Sequence, residues 1–480
     1  MNGRLSFPWK IFLIALVLRL IPVLLTRSLG IGLDDMFQYD MLARSLASGN
    51  GFRWYAENDL QMLKPYVDFD LSSVDYDPIR GVPTSFRAPM YPTFLALIYF
   101  LTGAGAGRFF AARIVQAALN ALLAPLTYLV SQRLFPDNQS ASIISAWVVA
   151  CYPLFILYPI GLATENLFFL FVLSSFFFLL RAADKPLDKN YLIPGLFLSL
   201  AALTRSVILP FVGLTVLWVW FTLEQKRGAM LMALTMFVMI APWVIRNSLL
   251  HHKLTGIESS MGYNLYVGYH PESNGSFTFG PSLDLISILD DAERDQLGTQ
   301  KALEFIRAEP ERVLPLAVNR LGFFFGLEKR VLMYFYSNDL VGYFPSALLL
   351  TIATVLLMPF FLVAPSAALG LALTRLRPGT ILLYLLLFAY ILPHVLILSE
   401  DRFHLAIVPF LSILAAQAWT GGWSIFADRW RESLAGKIAI SVAVLVILLL
   451  FLNWGFELSR DGDKIAALLS PNGNRTHFPY

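Results

Sequence analysis

The chain has 480 residues, 57% of them apolar and only 14% charged, with a mean hydropathy of +0.63; no soluble domain of this length needs so much apolar surface, so the composition describes a polytopic membrane protein. A net charge of +3 is too small to suggest nucleic acid as a partner, while 14% aromatic residues leave enough for interfacial belts. The single cysteine, Cys151, lies in an apolar run and excludes an intrachain disulfide framework or thiolate metal site.

In chain order, Arg4 and Lys10 precede an apolar segment from Ile11 with no small-residue cleavage site after it. This predicts a retained first span with the N-terminus in the cytoplasm. Apolar runs of spanning character follow at about 9–28, 109–131, 141–162, 165–182, 190–205, 207–223, 229–249, 341–364, 379–398, 403–420 and 437–456. The segment 89–103, PMYPTFLALIYFLTG, is short and begins with two prolines, so it is expected at the interface. With it outside the count, the charged loops around Arg133, Arg181, Lys226, Arg375 and Arg429 all fall on the N-terminal side, as the positive-inside rule asks. The expected fold class is therefore an all-α membrane protein of about eleven transmembrane helices, with juxtamembrane helices in its first outer loop.

Four parts are expected: an N-terminal transmembrane catalytic module (1–249) that includes the first outer loop (29–108), a small mixed domain on the outer face (250–340), C-terminal transmembrane helices (341–456) and a polar tail (457–480). In the outer domain, MGYNLYVGYHPESNGSF reads as turn-rich, and LDDAERDQLGTQKALEFIRAEPERV as helical. LPLAVNRLGFFFG, broken by Asn319 and Arg320, is expected at the interface.

The stretch most suited to chemistry is GLDDMFQYDMLARSLASGNGF, Gly32 to Phe52, directly after the first span. Asp35 precedes apolar Met36, Phe37, Leu42 and Leu46, with Gln38 three residues on, as a capping box requires. Gly49, Asn50 and Gly51 then close the helix. The pattern predicts a short helix outside the bilayer with carboxylates at its start. Asp34 and Asp35 are accounted for as caps by the helix dipole alone. What favours chemistry is convergence, because Arg87, Glu165 and Arg402 reach the same face from separate places in the chain.

Each of these also has a plainer reading. Thr164 caps the helix that Glu165 begins, and Arg87 reaches headgroups, although the prolines after it suit a placed phosphate contact better. Arg205 and Arg246 stand at outer helix edges where arginines anchor the interface; Arg205 is kept as a candidate for phosphate. Arg19, inside the first span, calls for a buried acceptor. His251, His252, His270, His394 and His404 read as structural, and no metal site is predicted. Asp34, Asp35 and Glu165 would allow a hard divalent cation without demanding one. P-loop, Rossmann and G-x-S-x-G patterns are all missing.

Further motifs follow in order: Y-x-x-x-A-R-x-L-x-x-G-x-G-F from Tyr39 to Phe52, R-A-P-M-Y-P from Arg87, T-E-N-L-F from Thr164, A-L-T-R ending at Arg205, P-W-V-I-R-N from Pro242, G-Y-N-L-Y-V-G from Gly262 and D-R-F-H-L from Asp401. Together they resemble the membrane glycosyltransferases of the C superfold, near protein O-mannosyltransferases and lipid A aminoarabinose transferases. The resemblance implies inverting transfer of a sugar from a polyprenyl-phosphate carrier to an acceptor at the outer membrane face. It places the catalytic acid of an Asp-Glu-x-x-Tyr motif at Asp35, with Met36 in the Glu position and Asp34 as the second acid available. It matches Arg87 and Arg402 to arginines on the donor phosphate. Tyr39, Glu165, Tyr263 and Asn264 are carried as substrate-binding candidates.

The chemistry is consistent with one base. A glycosidase needs two carboxylates because its leaving group must be protonated, whereas a polyprenyl phosphate leaves as a stable anion. Asp35 would take the acceptor proton, and the arginines the phosphate charge. The expected partners are the lipid donor, a lipid, glycan or protein acceptor, and the bilayer; the expected place is the inner membrane with the site on its outer face. An extra stretch of the first outer loop, from Arg53 to Thr84, is rich in acids and aromatics, and Trp54 and Tyr76 are expected to shape the acceptor site. The alternatives are a flippase of lipid-linked sugar, which needs ionisable residues deep in several spans, an oligosaccharide ligase or polymerase, and a membrane scaffold.

Overall fold

The computed structural model describes residues 6–329 and 344–470. Arg4, the end of the expected outer domain (330–340), the first residues of the C-terminal module and the end of the tail (471–480) lie outside the described residues. The chain is helical almost throughout. Seven helices among the described residues are long and apolar enough to cross a membrane, or eight if a bent pair is one span. They begin with α1 (Phe7–Leu25), then α5 and α6 (Arg108–Ala121 and Leu123–Leu134) as one span, α9 (Glu165–Asp184) and α12 (Lys226–Leu250). Beyond the undescribed segment come α17 (Ser346–Leu373), α18 (Pro378–Leu396) and α20 (Leu434–Arg460). The bent pair is α7 (Gln139–Cys151) with α8 (Pro153–Leu157) and its 3-10 extension, turned by 50° where Pro153 cannot donate a backbone hydrogen bond.

The count of eleven is not reached by this measure. Three of the runs behind it form α10 (Leu192–Thr204), α11 (Leu209–Leu217) and α19 (Val408–Glu432). α10 spans 13 residues, α11 stays short of a span even with the turns on either side (Ser206–Thr222), and α19 carries charged residues in its last turns and a non-helical Gly422. The interfacial reading of 89–103 agrees with a 13-residue α4 (Met90–Thr102).

α9 is the centre of the bundle. Its sequence FFLFVLSSFFFLL is apolar on every side, and nearly all of it is buried, as an all-round apolar helix requires. Arg19 finds its acceptors: Asn120 Oδ1 at 2.7 Å and the carbonyls of Ala15, Val149 and Ala150, which tie α1 to α5 and α7.

Two small bodies sit at one end of the bundle. The first holds α2 (Asp35–Ala47), α3 (Glu57–Leu63) and a two-stranded sheet, β1 (Arg53–Trp54) with β2 (Val82–Pro83), around Phe37, Leu42, Trp54 and Phe86. Gly81, at φ +72°, lets the sheet close, since a Cβ there would stand 2.0 Å from the Trp54 carbonyl oxygen. The second body, expected to be mixed, is helical over its described residues: α13 (Met261–Tyr269), α14 (Phe279–Leu283), α15 (Asp291–Ala308) and α16 (Val313–Phe324). The GYNLYVG stretch therefore forms a helix where turns were expected. Glycines make the difference by close approach: a Cβ on Gly262 would lie 1.9 Å from the Asp295 carbonyl oxygen, and one on Gly298 2.5 Å from that of Gly262. α13 and α15 pack backbone to backbone there. α15 is capped by Asp290, which accepts from the amides of Ala292 and Glu293.

Candidate active site

α2 begins one residue earlier than the capping-box reading places it. Asp34 is the N-cap, its Oδ1 accepting the Met36 amide at 2.9 Å, and Asp35 is the first helical residue. Gln38 has no part in a capping box; its Oε1 accepts from Arg87 Nε at 2.8 Å. The helix closes as expected, with Gly49 and Gly51 at positive φ. Capping thus occupies Asp34 and leaves the Asp35 carboxylate to Arg87, whose Nη2 donates to its Oδ1.

The segment before Arg87 is held from both sides. Thr84 Oγ1 and the Ser85 amide donate to Asp291 Oδ2 at 2.6 and 2.7 Å, and the Ser259 amide donates to the Ser85 carbonyl. Asp291 is almost fully buried and also accepts from Arg294. Arg87 then emerges between the Phe86 and Tyr39 rings, 5.1 and 5.3 Å from their centroids. Asp291 has no place in the sequence reading; the only hint of it is an acid pair, Asp290 and Asp291, ahead of a helical pattern.

Glu165 and Arg205 form a second pair, Arg205 Nη1 donating to Glu165 Oε1 at 2.5 Å. Thr164 does not cap α9. Its backbone is already helical, so its hydroxyl turns to Glu165 Oε2 at 3.1 Å. Arg402 lies just before the 3-10 turn Phe403–Ala406 and donates through Nε to Glu400 Oε2 at 2.7 Å; its terminal nitrogens have no hydrogen-bond acceptor among the described residues. Arg205 and Arg402 share the ring of Phe403.

These groups act on one another. Burial works against ionisation of Asp35, but Arg87 outweighs it, with help from Arg402 and Arg205, and the carboxyl is held below its ordinary range. Asp34 moves the other way. Part of its surface reaches solvent, yet crowding by the surrounding chain and then the neighbouring Asp35 charge raise it. Asp34, Asp35, Arg87, Glu165, Arg205 and Arg402 are thus brought together from α2, the stretch before α4, α9, the end of α10 and the loop before α19.

The remaining candidates separate. Tyr39 lies beneath Arg87 with its ring edge-on to Tyr91, and burial pushes its hydroxyl up to about 12. Tyr263 packs edge-on against Phe86 and donates to the Ser282 carbonyl, at the border of the cluster. Asn264, on α13, has no side-chain hydrogen bond to the cluster. Trp54 is corrected outright: it is 2% exposed, its faces covered by Tyr55, Phe86 and Arg294, so no sugar can stack on it. Tyr76 packs on the same core with its hydroxyl buried and unpartnered. Arg246 is an anchor, donating to the carbonyls of Thr84 and Phe52. No group of three or more His, Cys, Asp or Glu among the described residues is placed to hold a metal ion.

Residues 86–245 match the family described as dolichyl-phosphate-mannose-protein mannosyltransferase. The match takes in Arg87, Glu165 and Arg205 and leaves Asp35 and Arg402 outside it. No curated protein matches the chain. Solved structures that resemble it include the archaeal oligosaccharyltransferase AglB from Archaeoglobus fulgidus in complex with an inhibitory peptide and a dolichol-phosphate, at 13% identity and a TM-score of 0.48, covering 99% of this chain and 60% of that one. ArnT from Cupriavidus metallidurans bound to undecaprenyl phosphate aligns at 11% identity and a TM-score of 0.40, covering 88% and 80% of the two chains. The chain therefore spans 60% of the length of that oligosaccharyltransferase. The resemblance to membrane glycosyltransferases of the C superfold is borne out over residues 86–245 by that family match, and the seven long apolar helices among the described residues are those of a membrane protein.

Proposed function

We propose that this relative of the membrane mannosyltransferases moves a sugar from a polyprenyl-phosphate donor to an acceptor hydroxyl, with inversion, using Asp35 as base. One observation carries the reading: Arg87, Arg205 and Arg402, from three separate elements, all lie close enough to Asp35 to lower its proton affinity. A carboxylate among arginines is a poor general acid, and it stays ionised to accept a proton. The same arginines suit a departing phosphate, whose charge grows as the glycosidic bond breaks. The acceptor oxygen attacks the anomeric carbon and loses its proton to Asp35, while the bonding pair leaves on the phosphate oxygen.

Glu165 holds Arg205 in place, and Glu400 does the same for Arg402. The cluster lies at the helix ends beside two extramembrane bodies, where a donor can keep its tail in lipid. This end is read as the outer face of the cell membrane. Arg19 and Arg113, deep in the described bundle, donate to fixed backbone carbonyls, as structural ties do and a transport path does not need. To test the reading, purified protein is incubated with synthetic polyprenyl-phosphate sugars and an extract of envelope acceptors. Release of free polyprenyl phosphate at the pace of product formation supports it, and no release from any donor contradicts it.

A further inference from the structure

Behind the arginine cluster, His404, Glu328 and Tyr152 form a buried polar group inside an apolar setting. Their exposures are 0%, 1% and 1%. His404 Nδ1 lies 2.7 Å from the Phe324 carbonyl oxygen, which can only accept, so Nδ1 carries a proton. Nε2 lies 2.9 Å from Glu328 Oε1, and Tyr152 donates its hydroxyl to the same oxygen at 2.5 Å. A single proton therefore sits between ring and carboxyl, and the pair is neutral overall whichever partner holds it. Glu328 Oε2 is buried with no hydrogen-bond partner among the described residues, where His404 and Tyr152 are the groups that offset this carboxyl. Phe360 of α17 stacks on the imidazole with centroids 3.8 Å apart.

The group joins the start of α8, the turn after α16, α17 and the turn Phe403–Ala406. That turn also carries the phosphate candidate, since His404 follows Arg402 by two residues and Phe403 between them contacts both Arg402 and Arg205. His394 also stacks on Phe403, with centroids 4.5 Å apart. His404 thus sets the register of the turn, and the turn aims Arg402. We propose that His404 and Glu328, with Tyr152, are positioning residues that hold Arg402 toward the phosphate of the lipid donor. This rests on the transferase reading of Arg402.

The test is a double-mutant cycle on binding of polyprenyl phosphate and on the donor KM, in the full-length protein. Arg402→Ala weakens binding. Glu328→Gln leaves His404 without its charge partner and is expected to weaken phosphate binding and raise the donor KM about tenfold, with kcat nearly unchanged. In the double variant the loss is no greater than in Arg402→Ala alone, because the positioned group is gone. Tyr152→Phe removes one hydrogen bond without altering shape and shifts the donor KM in the same direction by less, which keeps the test open if Glu328→Gln fails to fold. Losses that add in full, or a fall in kcat at unchanged KM, overturn the proposal. If Arg402→Ala binds polyprenyl phosphate as well as the wild type, the phosphate role of Arg402 fails, and this proposal with it.

Discussion

Asp34 and Asp35 are neighbours in the chain whose carboxylates face different partners: Asp34 accepts the Met36 amide at 2.9 Å, and Asp35 accepts the guanidinium of Arg87. One starts the helix; the other faces the arginines. This division is what allows two adjacent acids to have separate roles.

The first prediction follows from it. Asparagine caps a helix about as well as aspartate, so Asp34→Asn keeps α2 and most of the activity, within a few fold. Asp35→Asn removes the base and lowers kcat by a factor on the order of 100 to 10,000. Comparing turnover of the two variants on one donor checks the assignment; equal losses would speak against it.

The pH profile separates the two acids independently. Asp35 is held below its ordinary value and Asp34 above it. If Asp35 is the base, the acid limb of kcat/KM lies below about pH 4, the usual aspartate value; a limb above that points to Asp34. Arg87→Gln removes the main group that lowers Asp35 and moves the limb to higher pH. Stability follows the same sign. The depressed Asp35 contributes stabilisation at pH above its unfolded value, and loses it as pH falls through the lower folded value.

Asp291 supports the site from a distance. Asp291→Ala removes the acceptor of Thr84, the Ser85 amide and Arg294 together, and leaves the Arg294 charge buried. A loss of about 3 kcal/mol in stability is expected, read as an earlier thermal transition. The donor KM also rises, since the chain into Arg87 is no longer fixed.

Trp54→Ala is expected to act as a core deletion, costing about 3 kcal/mol, with no selective effect on acceptor use. Gly81→Ala harms the same body, because both its φ and its Cβ are disallowed there. Thermal unfolding beside acceptor kinetics distinguishes these losses from a lost sugar contact.

The main lines of the fold were legible in hydropathy, since long apolar runs with few charges have few other uses. Short α10 and the kinked α19 blurred the span count, because composition shows apolarity but not where a helix breaks. At the site, Arg87, Glu165, Arg205 and Arg402 were found because charges are conspicuous at the rims of apolar runs. The cap was read one residue late, since Asp34 and Asp35 are equally good caps and only the backbone decides between them. Asp291 and Glu328 were missed because each joins segments far apart in sequence, and nothing in their local pattern marks a buried acid. Trp54 misled for a related reason: an aromatic in a polar loop looks like a sugar platform until its neighbours are known.

The most direct test of the central claim is native mass spectrometry of gently purified protein, wild type beside Asp35→Asn. The account predicts an intact polyprenyl-phosphate sugar on Asp35→Asn and spent polyprenyl phosphate on the wild type. Neither form retaining such a lipid, even after polyprenyl-phosphate sugars are supplied, would contradict it.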